Sequence, residues 1–365
     1  MGDVVKQLKG LILGAAKRMQ VFRLVCDSRW RSQQLLILGY HGISLDDEHE
    51  WNSELYMPPS LFRQRMEALR RGSYTVLPYA EAVERLYAGD LPPRAVALTF
   101  DDGTRDFRAQ ACPILAEFGY PATVYLTTYF SVNSYPVFDV FFSYLLWKGR
   151  DTVADLTEIV PGLGRHSLST LEDRQAITQR IREYREQTHP GNEQLSQIAR
   201  RIAIAVRQDY DRLCERGILQ IMSPSEVAEL PRFGVSVQLH THRHRTPNNE
   251  ALFRREIYEN RQHIASMGLP SPVLNHFCYP SGEHHPEYFD WLKAENIRTA
   301  TTCVPGLASA GSLRMALPRL IDTCHCTPLE FEGWLTGASQ FLPRRPWRNQ
   351  SQKPNIKLNE VESGT

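Results

Sequence analysis

Two carboxylates stand side by side at Asp101 and Asp102, directly after the apolar run "AVALTF" and before Gly103. Like charges in a poorly solvated place repel, and each loses hydration, so the pair is costly unless a cation or a shared proton offsets it. A cation needs further ligands. The chain offers one good set: His240 and His244 in "LHTHRH", four residues apart and just past the alternating run "VSVQL". One helical turn at that point would bring both imidazoles to the same side. Asp102 ends its own strand, and in parallel sheets sites assemble at those carboxyl ends. Two histidines and one carboxylate leave coordination positions open, the arrangement of a catalytic rather than a structural divalent ion. Asp101 beside such an ion is placed to remove a proton from water. His242 lies between the two ligands and projects oppositely in an extended backbone.

The elements that must position these residues read as an α/β chain. Short apolar strands ("LLILGY", "AVALTF", "PATVYLTT", "VSVQL", "HFCY", "IRTATT") alternate with helical patterns, which is the signature of parallel strands joined by helices. His41 and Gly42 follow the first strand. The rhythm breaks over 131–220, where long polar, helix-prone stretches replace it. The expected organisation is an amphipathic region over 1–30, a main domain made of 31–130 and 221–342, a mostly helical insertion over 131–220, and a loose polar tail over 343–365. Aromatics gather before the insertion at Tyr125, Tyr129, Phe130 and Tyr135; core packing is their ordinary fate and stacking on a ligand face the functional alternative.

Composition narrows the class. A hydrophobic fraction of 42%, 23% charged residues and a net charge of +1 describe an ordinary globular chain with no footprint for nucleic acid. Seven scattered cysteines without a CxxC pair argue against a disulfide framework and point to a reducing compartment. Cys324-His325-Cys326 has spacing that fits zinc motifs poorly. No apolar run is long enough to span a bilayer. The first residues lack a secretory pattern, so a cytoplasmic location, or one at the inner face of the membrane, is expected. Val4, Leu8, Leu11, Ala15, Met19 and Phe22 recur at helical spacing among five basic residues from Lys6 to Arg23. Such a helix either packs on its own domain or lies on an anionic membrane surface through residues 4–25.

"TFDDG", followed after an interval by "HTHRH" and then "FCYPSG", resembles the three motifs of the polysaccharide deacetylases, the NodB-homology carbohydrate esterases of family 4. The resemblance covers roughly 35–130 and 221–325. It implies a deformed (β/α) barrel of the NodB-homology type, here with a mostly helical insertion, holding one divalent ion, usually zinc. It implies Asp101 as general base, Asp102, His240 and His244 as metal ligands, and the amide of Ser281 as donor to the oxyanion. The family's C-terminal leucine-x-histidine motif has no clean copy. A circularly permuted subset carries its acid histidine on the first strand as "YH", and "LILGYHGIS" is similar to that pattern. His41 is therefore the expected acid, with His325 in reserve.

The third motif departs from the family at two positions, with Cys278 where many relatives have an arginine that orients the base and Ser281 where they often have tyrosine. Arg319 in "LPRLID" is a candidate for the missing cation. His276, His284 and His285 are expected as surface polar residues. The implied substrate is an N-acetylated glycan or a lipid-linked sugar. Two other readings stay open: a non-catalytic sugar-binding protein on the same scaffold, and a non-haem iron oxygenase, which shares the two-histidine, one-carboxylate set but has no need of Asp101.

Overall fold

The structure is a computed structural model that describes residues 2–133, 136–270 and 272–342, with side chains from residue 8 onward. Tyr135 and the 343–365 tail lie outside the described residues. Eight strands form one parallel sheet: β1 (Leu36–Tyr40), β2 (Thr75–Val76), β3 (Ala95–Phe100), β4 (Ala122–Leu126), β5 (Val235–Leu239), β6 (His276–Cys278), β7 (Thr299–Thr301) and β8 (Leu320–Ile321). Their order is β7-β6-β5-β4-β3-β1-β8, with β2 beside the start of β3. The two ends of this order meet through Leu317, whose N–H donates to the Ala300 carbonyl at 2.8 Å and whose carbonyl accepts from Thr302 N–H at 2.9 Å. The sheet is thereby curled into the deformed (β/α) barrel expected from the motifs.

Strands buried on both faces must be apolar or small on both, and β1, β3 and β4 are buried at every position. Alternation divides their side chains between two environments. Leu36, Leu38, Tyr40, Val96, Leu98, Phe100, Val124, Leu126, Val237, Leu239 and Phe277 face outward and share one core with the surrounding helices. The opposite register (Ala97 and Thr99, Thr123 and Tyr125, Gln238, His276 and Cys278, Thr299 and Thr301, Arg319) lines the interior, which is unusually polar. Following that inner register to the carboxyl ends of the strands arrives at His41, Asp101 and His240. His276 belongs to this lining and corrects its expected surface position: it is buried, with Nδ1 2.7 Å from Thr299 Oγ1 and its ring edge-on to Tyr79. Burial pushes its pKa down to about 4.

The 131–220 stretch sits between β4 and β5 and is mostly helical, with helices Phe138–Lys148, Leu171–Thr188, Asn192–Ala205 and Tyr210–Glu215 and one small antiparallel hairpin, Val153–Asp155 with Arg165–Ser167. It owns a hydrophobic core, in which Phe141, Phe142, Leu145, Ile177, Ile181, Ile202 and Leu213 are buried together. Ion pairs tie it to the loop after β1: Lys148 to Asp47 at 2.6 Å and Arg216 to Asp46 at 3.0 Å. At the other end of the chain, the helix Gly2–Arg18 lies along the helix Pro328–Thr336, with Lys9 paired to Glu330 at 3.4 Å, Lys17 to Glu332, and Leu13 and Phe22 buried beside Ala338. The amphipathic pattern over 4–25 is broken by Gln20, whose left-handed backbone separates a second short helix, Val21–Cys26.

Candidate active site

Asp101 continues the inward register of β3, and the chain turns immediately after it. Asp102 has φ 69° and Gly103 φ 79°, and this left-handed pair swings the Asp102 side chain back over the same cavity that Asp101 edges. Non-glycine residues rarely adopt positive φ. Four of those that do, Asp102, Thr241, His244 and Ser281, belong to the three motifs read from the sequence. The two histidines are brought together by such a turn and not by the helical turn expected from their spacing: residues 240–246 are irregular, with Thr241 and His244 left-handed.

The result is a tight triangle. Asp102 Oδ1 lies 3.2 Å from His240 Nε2 and 3.1 Å from His244 Nε2. Atoms bound about 2.1 Å from a shared tetrahedral ion stand about 3.4 Å from one another, so the three ligand atoms are already at roughly coordination spacing. Asp102 Oδ1 is buried yet lacks a properly directed hydrogen-bond donor, a costly state for a carboxylate oxygen that a cation would relieve. His240 Nδ1 lies 2.8 Å from the Cys278 carbonyl. A carbonyl only accepts, so Nδ1 carries the proton and the Nε2 lone pair faces Asp102. The backbone N–H of His240 donates to Asn260 Oδ1 at 3.0 Å, while the Asn260 amide donates to the Leu126 carbonyl and Thr128 Oγ1, which locks the β5 end against β4. The residues fit a divalent cation by spacing, by the orphaned oxygen and by tautomer.

A second triple, Asp101, His240 and Cys278, also gathers ligand atoms, but its members are engaged elsewhere. Arg319 Nη1 and Nη2 each donate to one Asp101 oxygen at 2.7 Å, in a bidentate pair buried on both sides. Arg319 also donates to the Thr302 carbonyl, Thr99 Oγ1 and, at 3.1 Å, Cys278 Sγ. Burial alone would raise the Asp101 pKa, yet the Arg319 charge and its hydrogen bonds outweigh this and hold the carboxyl down at about 2. Gly39 leaves the room that Arg319 needs: a Cβ there would stand 2.5 Å from Ile321 Cδ1 and 3.4 Å from Arg319 Nη1.

Each expected site residue can be placed. His41 follows β1 with Nε2 3.8 Å from Asp101 Oδ2. Ser281 sits in a short turn with φ 56° and ψ 9°, and Gly282 packs against Cys303. His325 is exposed and hydrogen-bonded to Ser53 Oγ at 3.0 Å, with no contact recorded to the triangle among the described residues. His242 turns away from the ligands toward Thr128 Oγ1 at 2.8 Å and stacks on His263; burial pushes its pKa down to about 4. Tyr125 is buried inside the barrel, whereas Tyr129 and Phe130 are half-buried at its mouth. Asn260, the Cys278 carbonyl and Gly39 were missed by sequence reasoning; no local motif marks them, and only the inward parity shared by residues 39, 278 and 319 hints at their meeting.

Comparison with known proteins agrees with this geometry. The polysaccharide deacetylase family model matches residues 88–300, more than half of the chain. The chain belongs to the polysaccharide deacetylase family. Over 100 residues, 27% of this chain, it is 30% identical to the poly-beta-1,6-N-acetyl-D-glucosamine N-deacetylase of Escherichia coli (strain K12), and that stretch spans only 15% of the relative's length. The fold is shared with the Streptococcus pyogenes deacetylase PplD solved in complex with acetate, at 18% identity and a TM-score of 0.50 over 85% of this chain and 99% of that one. It is also shared with IcaB from Ammonifex degensii, at 17% identity and a TM-score of 0.50 over 83% and 97% of the two chains.

Proposed function

We propose that the chain is a divalent-metal-dependent hydrolase that removes N-acetyl groups from the amino sugars of a polysaccharide. One observation carries this reading: Asp102, His240 and His244 converge on a single orphaned carboxylate oxygen, while Asp101 stands beside them, ionised and held by Arg319. The curated relative named above acts, by its name, on poly-beta-1,6-N-acetyl-D-glucosamine, which supports an N-acetylglucosamine polymer as substrate class. A lipid-linked sugar with the same amide is the variant of this substrate that the test must separate.

An amide resists hydrolysis because water is a poor nucleophile, the tetrahedral oxyanion is costly and the amine leaves poorly. Asp102, His240 and His244 would hold a divalent ion, zinc by the preference of two imidazole nitrogens and one carboxylate, and the ion would supply Lewis acidity there. Asp101, aimed by the two Arg319 donors, takes a proton from the attacking water. The Ser281 N–H, presented by its left-handed turn, holds the developing oxyanion, a contribution of about 3 kcal/mol for one well-placed donor. His41 gives a proton from Nε2 to the departing nitrogen. That assignment makes the first strand the source of the acid, the arrangement of the circularly permuted subset.

The metal-loaded chain is assayed for acetate release from β-1,6- and β-1,4-linked N-acetylglucosamine oligomers and from a lipid-linked N-acetyl sugar. Asp101→Asn is expected to keep its metal and lose about 10²–10⁴ in turnover. Acetate release by this variant at the wild-type rate, or none from any substrate by the wild type, contradicts the proposal.

A further inference from the structure

The helix Gly2–Arg18 has two apolar faces, and the fold uses only one. Leu13, almost fully buried at 1% exposure, packs with Phe22 and Ala338 against the C-terminal helix Pro328–Thr336. Leu8, Leu11, Ile12 and Met19 remain 56%, 68%, 42% and 70% exposed. At about 100° per residue, Leu8, Leu11, Ile12, Ala15 and Met19 fall within an arc about 100° wide, turned well away from Leu13. The stripe runs about 16 Å along the helix axis. Fifteen large hydrophobic residues are exposed among the described residues, and five of them, these four and Leu24, lie between positions 8 and 24, so the exposure is concentrated and not scattered.

Charge says what covers the stripe. Arg18, Arg23 and Arg29 are exposed around it. The acidic groups nearby are largely spent: Glu330 and Glu332 pair with Lys9 and Lys17 on the packed side, and Asp27 pairs with Arg94 at 2.6 Å and only loosely with Arg23, at 3.9 Å. An apolar stripe rimmed by exposed arginines, of which only Arg23 has a carboxylate within reach and that one shared, is the complement of an anionic lipid surface, where hydrocarbon takes the stripe and headgroups take the arginines.

We infer that the outer face of the N-terminal helix docks the protein on an anionic membrane surface, lying in the interface without crossing it. No helix among the described residues is long and apolar enough to cross a membrane. The inference is independent of the catalytic reading, because the stripe contains no residue of the metal or acid–base set.

The test is co-flotation of the full chain with vesicles of phosphatidylcholine alone and of phosphatidylcholine mixed with phosphatidylglycerol. The wild type is expected to float with the anionic vesicles and to be released by salt. Leu11→Glu with Met19→Glu is expected to weaken flotation about tenfold or more while leaving thermal unfolding unchanged. Arg18→Glu with Arg23→Glu is expected to abolish the preference for anionic lipid. Absence of wild-type binding, or equal binding by the Leu11→Glu, Met19→Glu variant, overturns the inference. So does a concentration-dependent dimer that the same pair of substitutions dissolves, since a second copy then covers the stripe. Binding that appears only after residues 343–365 are removed also overturns it, because the tail is then the occupant.

Discussion

Asp101 and Arg319 are the residues on which the proposed chemistry turns. A buried carboxylate left alone would hold its proton near neutrality, and a protonated Asp101 cannot serve as base. Arg319 reverses the sign: burial raises the pKa, the guanidinium lowers it further, and the balance falls at about 2. The carboxylate therefore stays charged throughout the mildly acidic range, and the acid limb of kcat/KM should not follow Asp101 above about pH 3. Arg319→Met removes the lowering and leaves the raising, so Asp101 should take up its proton at higher pH and activity should be lost on the acid side where the wild type retains it. Arg319→Lys keeps the charge but loses one of the two parallel hydrogen bonds and should fall between. The Met variant also leaves a buried carboxylate unpaired and should cost about 3–5 kcal/mol of stability by denaturant titration. A pH profile unchanged in both variants would remove Arg319 from the account.

At the scale of elements, the site is a product of strand ends. β1, β3 and β5 deliver His41, Asp101 and His240 from one inward register, and left-handed turns then fold Asp102 and His244 back over the same cavity. Asn260, on the helix Glu250–Ala265, fastens the β5 end to β4 through three hydrogen bonds. Asn260→Ala leaves a buried N–H and a buried carbonyl unpaired; it should cost about 2–3 kcal/mol and weaken metal binding about tenfold, read by thermal unfolding and by metal titration. Unchanged metal affinity would show that the β5 end is held by other contacts. The barrel strands were legible because parallel strands are written as apolar runs, and "TFDDG" with "HTHRH" was legible because like-charged carboxylates after such a run demand an explanation. The means of assembly was not. Spacing of His240 and His244 suggested a helical turn, since a dihedral at Thr241 leaves no mark in composition. His276 read as surface because it groups with His284 and His285 as polar residues around the third motif, and only its parity with Cys278 places it inside. The contact of Arg319 with Asp101 crosses 218 positions of sequence and is set by the closure of the barrel, which no local pattern records.

On the scale of the whole molecule, two cores are joined across the loop that follows His41. The barrel core and the core of the 131–220 stretch are separate clusters, and Tyr56, Trp51 and Leu55 of that loop pack against the second. Ile202→Ala should cost about 2–5 kcal/mol by opening a cavity. If that stretch opens as its own unit, hydrogen exchange should rise across Phe138–Lys148 and Asn192–Ala205 while β3 and β4 keep their protection. Uniform loss of protection would mean a single cooperative unit.

The central claim is that one divalent ion, held by Asp102, His240 and His244, is required for amide hydrolysis. Its most direct measurement is a titration of metal-stripped protein with zinc, reading bound metal and acetate release in the same samples. The account predicts that both rise together and level at one ion per chain, and that His244→Ala flattens both curves. Full acetate release from the metal-stripped chain, or an unaltered titration in the His244→Ala variant, would contradict it.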